Sequence, residues 1–576
     1  MTASPRQMSP QSISQSSEPV VSTSNQLAPN QVPSLTGYNL FLSDPALVRS
    51  VEREGASWAR AQITELGRFL GTEEAQRWGF EANENKPVLH THDRYGNRRD
   101  EVIFHPSWHN LMRTSVANRL HCLPWESDAT STATASSQRP GAHVARAALM
   151  MLTAQNEAGH TCPISMTFSA VAALRAEPEL AAEWEPRIRS SAYDPRFAPA
   201  QEKSGVLLGM GMTEKQGGSD VRANTTRAER IGSSREYLIT GHKWFLSAPM
   251  CDAFLILAQA PKGLTCFLLP RWTPAGERNG FHIQRLKDKM GNRSNASSEV
   301  EFVQAWAHAV GEEGRGVHTI IEMVNHTRLD CAIAAAGLMR QALVQAVHQA
   351  QHRQAFGKLL MDQPLMRNVL ADLAIESEAA TLLMVRLARA FDRRGSDPRE
   401  RAFCRIATAI AKYWLCKRSP VQVGEALECL GGNGYVEESI MARLYREAPL
   451  YSIWEGSGNV ICLDVLRALA KDPAIVEALL AELEPTAGAD KRLDPYVAAV
   501  RSRLADARAE EHTARDLTEK LALALQASLM VRHSSSAMAD AFMASRLEGQ
   551  HGQAFGTLPP ETNVKEILSS LADPLA

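Results

Sequence analysis

The sequence has no C-x-x-C pair, no basic surplus and no long apolar run, and each absence removes a class of function. The nine cysteines, from Cys122 to Cys462, are an odd number without paired spacing, which excludes a zinc ribbon and argues against a disulfide framework. Lys plus Arg is 62 against 64 for Asp plus Glu, so a net charge of -2 offers a polyanion no global field and any such contact must be local. No stretch approaches the roughly 18 apolar residues of a membrane helix, and the N-terminus shows neither a secretory apolar core nor an Arg-rich presequence; a cytoplasmic protein without membrane contact is expected. Gly209-Met210-Gly211 is followed by Glu214 where a dinucleotide fingerprint needs its third glycine, and there is no Walker A loop. An H-E-x-x-H helix is missing, and Ser457 in EGSGN lacks the G-x-S-x-G spacing. Rossmann, metal-dependent and serine-hydrolase chemistry all drop out.

What is present is enough chain, 576 residues with 44% hydrophobic, for several cores. Residues 1–36, rich in Ser, Pro and Gln, read as a disordered tail. Residues 37–205 read as a helical domain: Val144 to Ala154 and Ala170 to Trp184 are rich in helix formers, Pro178 marks a break, and Asp128 to Gly141 reads as a flexible insertion. From 206 to 310 short apolar segments such as 237–240, 254–257 and 265–269 alternate with Gly, Pro and Asn, the pattern of a β domain. Amphipathic stretches at 317–355, 363–394 and 399–430 then predict a second helical domain, 311–474. Residues 475–576 form an appended helical module interrupted by Pro485 and Pro495, and the whole is an α+β chain.

Four segments concentrate the candidate chemistry: MGMTEKQGGSD (210–220), GHKWFLSAP (241–249), HRQAFGK (352–358) and SIWEGSGN (452–459). Together, and in this order, they resemble the acyl-CoA dehydrogenase flavoproteins over about residues 39–470. The wording of these segments, of KDKMGNRSNAS (287–297) and the extra C-terminal helices resemble the branch of that family tied to the alkylation-damage response. The resemblance implies FAD as cofactor. Met210, Gly211, Met212, Thr213, Gly218 and Ser219 would cradle the flavin from one strand and loop, and Phe245, Leu246 and Ser247 would flank it from another. Phe245 departs from the family's usual Trp. Arg353 and Phe356 would reach the adenine end of a flavin held mainly by a neighbouring subunit, with Gly431 and Gly432 at the same end, which implies a homo-oligomer, a tetramer. Ile453, Trp454, Gly456, Ser457 and Asn459 frame Glu455, the implied catalytic base, and Arg328 lies where the family often places an active-site Arg near the substrate.

The residue chemistry stands beside the resemblance. Removing a hydrogen pair from an acyl-CoA thioester needs a base for the α proton while the β hydrogen leaves as hydride to the flavin, and a carboxylate on a Gly-flanked turn can be held at that carbon. Alone, each segment has a plainer reading: a polar turn at 214–220, a half-buried strand aromatic at Phe245, a helix end closed by Gly357, an Arg328 paired within its helix, a solvated Glu455.

The module 475–576 carries ten basic and fifteen acidic residues, a net of -5. Arg501, Arg508 and Arg515 recur every seven residues and would line one face of one helix, with Arg467 at the module's entrance. A solvated, ion-paired face is one reading; double-stranded DNA contact, which the resemblance implies, is the other. The expected function is FAD-dependent, weak α,β-dehydrogenation of an acyl-CoA combined with DNA binding. An ordinary short- or branched-chain acyl-CoA dehydrogenase without DNA binding stays open.

Overall fold

The run Ala253-Phe254-Leu255-Ile256-Leu257-Ala258 is apolar on both faces, so its strand must lie inside a sheet covered on both sides. This computed structural model, which describes residues 29–126, 139–505 and 510–571, places it there. The strands are β1 (Leu208–Gly211), β2 (Arg227–Arg230), β3 (Glu236–Ser247), β4 (Ala253–Ala260), β5 (Gly263–Pro270), β6 (Phe281–Leu286) and β7 (Ser297–Val310). They run in the order β1-β4-β2-β3-β7-β5, with β6 also on β7, and β4 pairs with β5 as well, so the sheet curls back on itself. β1 lies parallel to β4, with Met210 opposite Leu255.

Helices pack on both sides of this domain in sequence. α1 (Ala142–Asn156) is buried along its whole length, and α2 (Thr161–Leu174) touches β1. α3 (Gly316–His352), 37 residues long, is the central rod, packed against α1, α2, α4 (Pro364–Arg393) and α5 (Pro398–Cys429). A helix covered on nearly every face needs polar groups paired inside, and Arg146 of α1 meets Asp330 of α3 through two hydrogen bonds of 2.6 and 2.8 Å, both side chains buried. Then come α6 (Gly458–Lys471), α7 (Pro473–Leu483), α8 (Leu493–Ala505) and α9 (Ala514–His533). Among the described residues no helix is long and apolar enough to cross a membrane.

Several expectations need correction. Residues 29–36, assigned to the tail, are packed: Leu35 is buried, Gln76 donates to its carbonyl, and Asn30 bonds Gln354 through both its side-chain oxygen and nitrogen. Residues 1–28 of that tail, and 128–138 of the expected insertion, lie outside the described residues. Within the helical N-terminal region stands a β-hairpin, Val88–His92 with Arg98–Ile103, whose Asp93-to-Asn97 turn was its local signal. Pro178 begins a helix after the break, as its position predicts. Pro495 interrupts nothing, because it sits in the first turn of α8, where a missing N–H costs no bond.

The appended residues are built into the second helical domain. Leu479, Leu483, Leu517 and Leu521 are buried, and Glu482 of α7 accepts hydrogen bonds from Arg386 of α4 and Arg532 of α9. Arg501 lies on α8 and Arg515 on α9, two helices that each bury their own apolar face, so no single helix presents both; Arg508 lies outside the described residues.

Candidate active site

Glu455 has φ +57°, a left-handed conformation that costs a non-glycine residue about 1 kcal/mol or more, and Gly456 after it has φ +105°. The turn is held from two sides. Arg328 of α3 donates its Nε to the Glu455 carbonyl at 3.0 Å, and the buried Lys412 of α5 donates its Nζ to the Gly456 carbonyl. Arg328 also bonds Asp464 of α6 at 2.8 Å, and Arg405 bonds the same carboxylate at 2.6 Å. The expected intrahelical pairing of Arg328 is therefore replaced by a contact to the turn 127 residues away.

The Glu455 carboxyl is turned inward. Its Oε2 is buried and has no hydrogen-bond partner among the described residues. Burial raises its pKa above the ordinary carboxylate value, opposed by Thr327, Arg328 and Lys412 beside it. A base of raised pKa in a dry site suits proton abstraction near neutral pH.

The flavin-side segments are joined by backbone. Thr213 and Phe245 form an antiparallel bridge, with Trp244 N–H donating to the Thr213 carbonyl at 2.8 Å. Beneath them Lys243 donates to Glu214 at 2.7 Å, both side chains fully buried. Although burial opposes it, the Lys243 ammonium with the Thr225 and Thr226 donors holds the Glu214 carboxyl down at about 2. The TEK segment is thus more than a polar turn. Glycine is needed at Gly218, where a Cβ would stand 2.3 Å from the Thr213 hydroxyl. Leu246 points into the core, while Ser247 lies against the thiol of Cys162 on α2. Phe245 is half exposed and carries the Lys287 Nζ 4.6 Å from its ring centroid. Met210 and Met212 are partly buried against the core, Gly211 is closed off by Leu246, and Ser219 is exposed.

Ser457 is the N-cap of α6 but makes no side-chain capping bond among the described residues, a setting suited to an anionic cofactor group. Ile453 is exposed and Trp454 half-buried. Asn459 Oδ1 accepts from Arg515 Nε at 2.8 Å, which places Arg515 beside the candidate cofactor turn.

At the other end of α3 the helix stops at His352 and Arg353, and residues 354–359 form a hairpin whose tip is Phe356 (φ +53°) and Gly357 (φ +76°). The expected helix end closed by Gly357 is a hairpin turn instead. Phe356 is 97% exposed, Arg353 bonds the Asn30 carbonyl, and Asn433, next to Gly432 and Gly431, bonds Gln31, so these segments share one end of the molecule.

Lys412, Asp464, Cys162 and Asn295 were not singled out in the sequence. A lysine inside the apolar run ATAIAKYWL was the one legible signal among them.

Comparison with known proteins follows the same division of the chain. The N-terminal domain of the adaptive response protein AidB matches residues 30–195, the acyl-CoA dehydrogenase middle domain 209–305 and the acyl-CoA dehydrogenase C-terminal domain 314–470. The chain is 46% identical over 524 residues to the putative acyl-CoA dehydrogenase AidB of Escherichia coli (strain K12), spanning 91% of this chain and 94% of that one. It is 30% identical over 482 residues to acyl-CoA dehydrogenase family member 11 of Caenorhabditis elegans, spanning 80% and 75%. The structure of Caenorhabditis elegans ACDH-11 in complex with C11-CoA superposes with a TM-score of 0.80 at 26% identity, over 91% of this chain and 94% of that one. A buried carboxyl on a strained turn, a flavin-type strand pair and this degree of identity lead to one conclusion: the chain belongs to the acyl-CoA dehydrogenase family, the FAD-dependent oxidoreductases acting on CH–CH bonds.

Proposed function

We propose that this protein is an AidB-type flavoprotein in which Glu455 takes the α proton of an acyl-CoA thioester. The observation that carries this reading is the buried carboxyl of Glu455, whose Oε2 has no hydrogen-bond partner among the described residues while its turn is clamped by Arg328 and Lys412. The residues present fit FAD: the Thr213 hydroxyl over Gly218, the paired strand at Phe245, and the cap of Ser457 offer donors for its polar groups. FAD, when bound, supplies the acceptor for the β hydrogen and its electron pair. Glu455 then holds the α proton, the Cα–H and Cβ–H bonds break, and a Cα=Cβ bond forms. Arg328 fixes where the carboxyl stands and touches no reacting atom. The bound C11-CoA of the nematode relative supports a thioester ligand here. Anaerobic mixing of the FAD-loaded protein with short straight and branched acyl-CoAs tests the reading. Flavin bleaching that is lost in Glu455→Gln supports it, and equal bleaching by that variant overturns the base assignment.

The reading includes a homotetramer whose cofactor sites are completed between subunits. Supporting it, Phe356, Leu365 and Tyr435 are 97%, 82% and 81% exposed. Light scattering of the yellow protein tests it, and a monomer that holds FAD refutes it. The nine buried free thiols support the cytoplasmic placement.

A second reading adds double-stranded DNA and a role in the alkylation-damage response. Arg467 and Arg501 are exposed and make no ion pair among the described residues. Arg515, by contrast, is engaged with Asn459. Because α7 and α9 are packed into the second helical domain, substitution tests this better than truncation. A gel shift at several salt concentrations should show affinity falling at a slope of about -0.9 per contacted phosphate, with a smaller slope in Arg467→Ala/Arg501→Ala. An unchanged slope moves the contact elsewhere, and no binding at low salt leaves the dehydrogenase alone.

A further inference from the structure

Near Glu455, across the Cys162 thiol, lies a cluster of buried polar side chains. Asn292, Asn295, Glu447 and Tyr451 are 0%, 1%, 2% and 4% exposed. Neither amide atom of Asn292 has a hydrogen-bond partner among the described residues, nor have Glu447 Oε2 and Tyr451 Oη, and the amide of Asn295 meets only the weak acceptor of the Cys162 thiol. Buried polar atoms are nearly always paired, so this many in one place, held by different chain segments, marks a site made for polar contact.

The cluster is built. Asn292 N–H donates to Glu447 Oε1 at 2.8 Å, which fixes the 289–297 loop against the helix preceding the catalytic turn. Gly159 lets α2 approach closely, since a Cβ there would stand 1.9 Å from Ser294 Oγ. The cluster also borders the catalytic carboxyl. The Cys162 thiol lies against Asn295 and Ser247 and interacts with Glu455, and Tyr451 stands four residues before Glu455, with its ring 6.2 Å from that of Trp454.

The unmet groups are of both kinds. The two asparagine amides and the tyrosine hydroxyl can donate, whereas the asparagine carbonyl oxygens and Glu447 Oε2 can accept. A keto oxygen answers only the donors. A hydroxyl answers both. Burial, joined by the nearby Glu157 charge and opposed by the Asn292 N–H, Arg443 and Lys289, raises Glu447 to about 7, so it can take either role near neutral pH.

We infer that Asn292, Asn295, Glu447 and Tyr451 form a specificity subsite for the acyl end of the thioester, and that the acyl groups it selects carry a hydroxyl rather than ending in plain hydrocarbon. This rests on the acyl-CoA reading above. A site built to bond a hydroxyl discriminates strongly against the analogue lacking it, because its own buried groups are then left unpaired.

The test uses the FAD-loaded Glu455→Gln protein, which should bind without turnover, and calorimetric titration with matched pairs of CoA thioesters from butyryl to octanoyl, each with and without a terminal hydroxyl. The expected result is that at one chain length or more the hydroxylated thioester binds at least tenfold more tightly. Tyr451→Phe, which removes only an oxygen, and Asn295→Leu should each bring that ratio toward one, with the hydrocarbon Kd changed less than about threefold and FAD still bound. Binding of both series with no preference at any length, or a preference that survives both substitutions, overturns the inference and leaves the acyl-CoA reading standing. Failure of both series to bind at all removes that reading and this inference with it.

Discussion

The Arg328 Nε sits 3.0 Å from the main-chain oxygen of Glu455, so the group that steadies the proposed base grips its backbone and leaves its carboxyl untouched. The clamp fixes where the carboxyl stands, and burial raises its pKa while the charges of the same Arg328 and Lys412 hold it down in part.

Replacing Glu455 by Gln should lower the rate of anaerobic flavin reduction by roughly 10²–10⁴-fold, the usual worth of a positioned base. The variant should remain yellow, and stopped-flow absorbance separates the two effects.

Arg328→Met should lower kcat while changing acyl-CoA affinity little, because the turn loses one of its two clamps and the reacting group drifts. Removing one partner from the buried contact with Asp464, which keeps Arg405, should cost about 2–3 kcal/mol of stability, somewhat below the full penalty of an orphaned buried charge. Thermal melting and steady-state kinetics measure the two consequences.

The rate of flavin reduction should rise with pH through an apparent pKa above the ordinary carboxylate value, since only the deprotonated Glu455 accepts a proton and its pKa is raised. Lys412→Met removes a nearby positive charge that lowers this pKa, so the limb should move to still higher pH. An unmoved limb would assign it to another group.

Asp392 accepts the first N–H groups of α1, from His143 at 2.7 Å and Val144 at 3.3 Å, and burial raises its pKa to about 7. A carboxyl raised in the native state binds its proton more tightly folded than unfolded. Its contribution is therefore fully present below its unfolded pKa, near 4, and lost as pH rises through about 7, at about 1.4 kcal/mol per unit at most. The stability difference between wild type and Asp392→Asn should move against wild type as pH rises from about 4 to about 7, as read by urea unfolding.

Lys243→Met leaves Glu214 buried without its cation, which should cost about 3–5 kcal/mol. Because that pair underlies the Thr213–Phe245 bridge, FAD affinity should fall with it, measurable by flavin titration.

The motifs around Thr213, Phe245 and Glu455 were legible because each is a short, contiguous signal, and the long helices because their composition is sustained over many turns. What could not be read depends on distant chain. Nothing local tells that Lys412 reaches a carbonyl 44 residues away, or that Asn295 stands beside Cys162. The seven-residue spacing of Arg501, Arg508 and Arg515 misled because it presumes one continuous helix, whereas Arg501 and Arg515 occupy two. Leu35 escaped notice because isolated apolar residues among Ser, Pro and Gln carry no pattern, yet its side chain helps dock the segment 29–36.

All nine cysteines are buried and free, and burial raises every one of their thiols above the ordinary value. The reactive species toward an electrophile is the thiolate, so a methylating or carboxymethylating reagent meets almost none of it while the native packing lasts. Cys122 and Cys162 lie in the first helical region, Cys251 in the turn between β3 and β4, Cys266 on β5, and the other five on α3, α5 and α6. Native chemistry has in effect supplied a set of silent reporters, and the order in which a thiol reagent finds them is a map of which parts of the molecule breathe first.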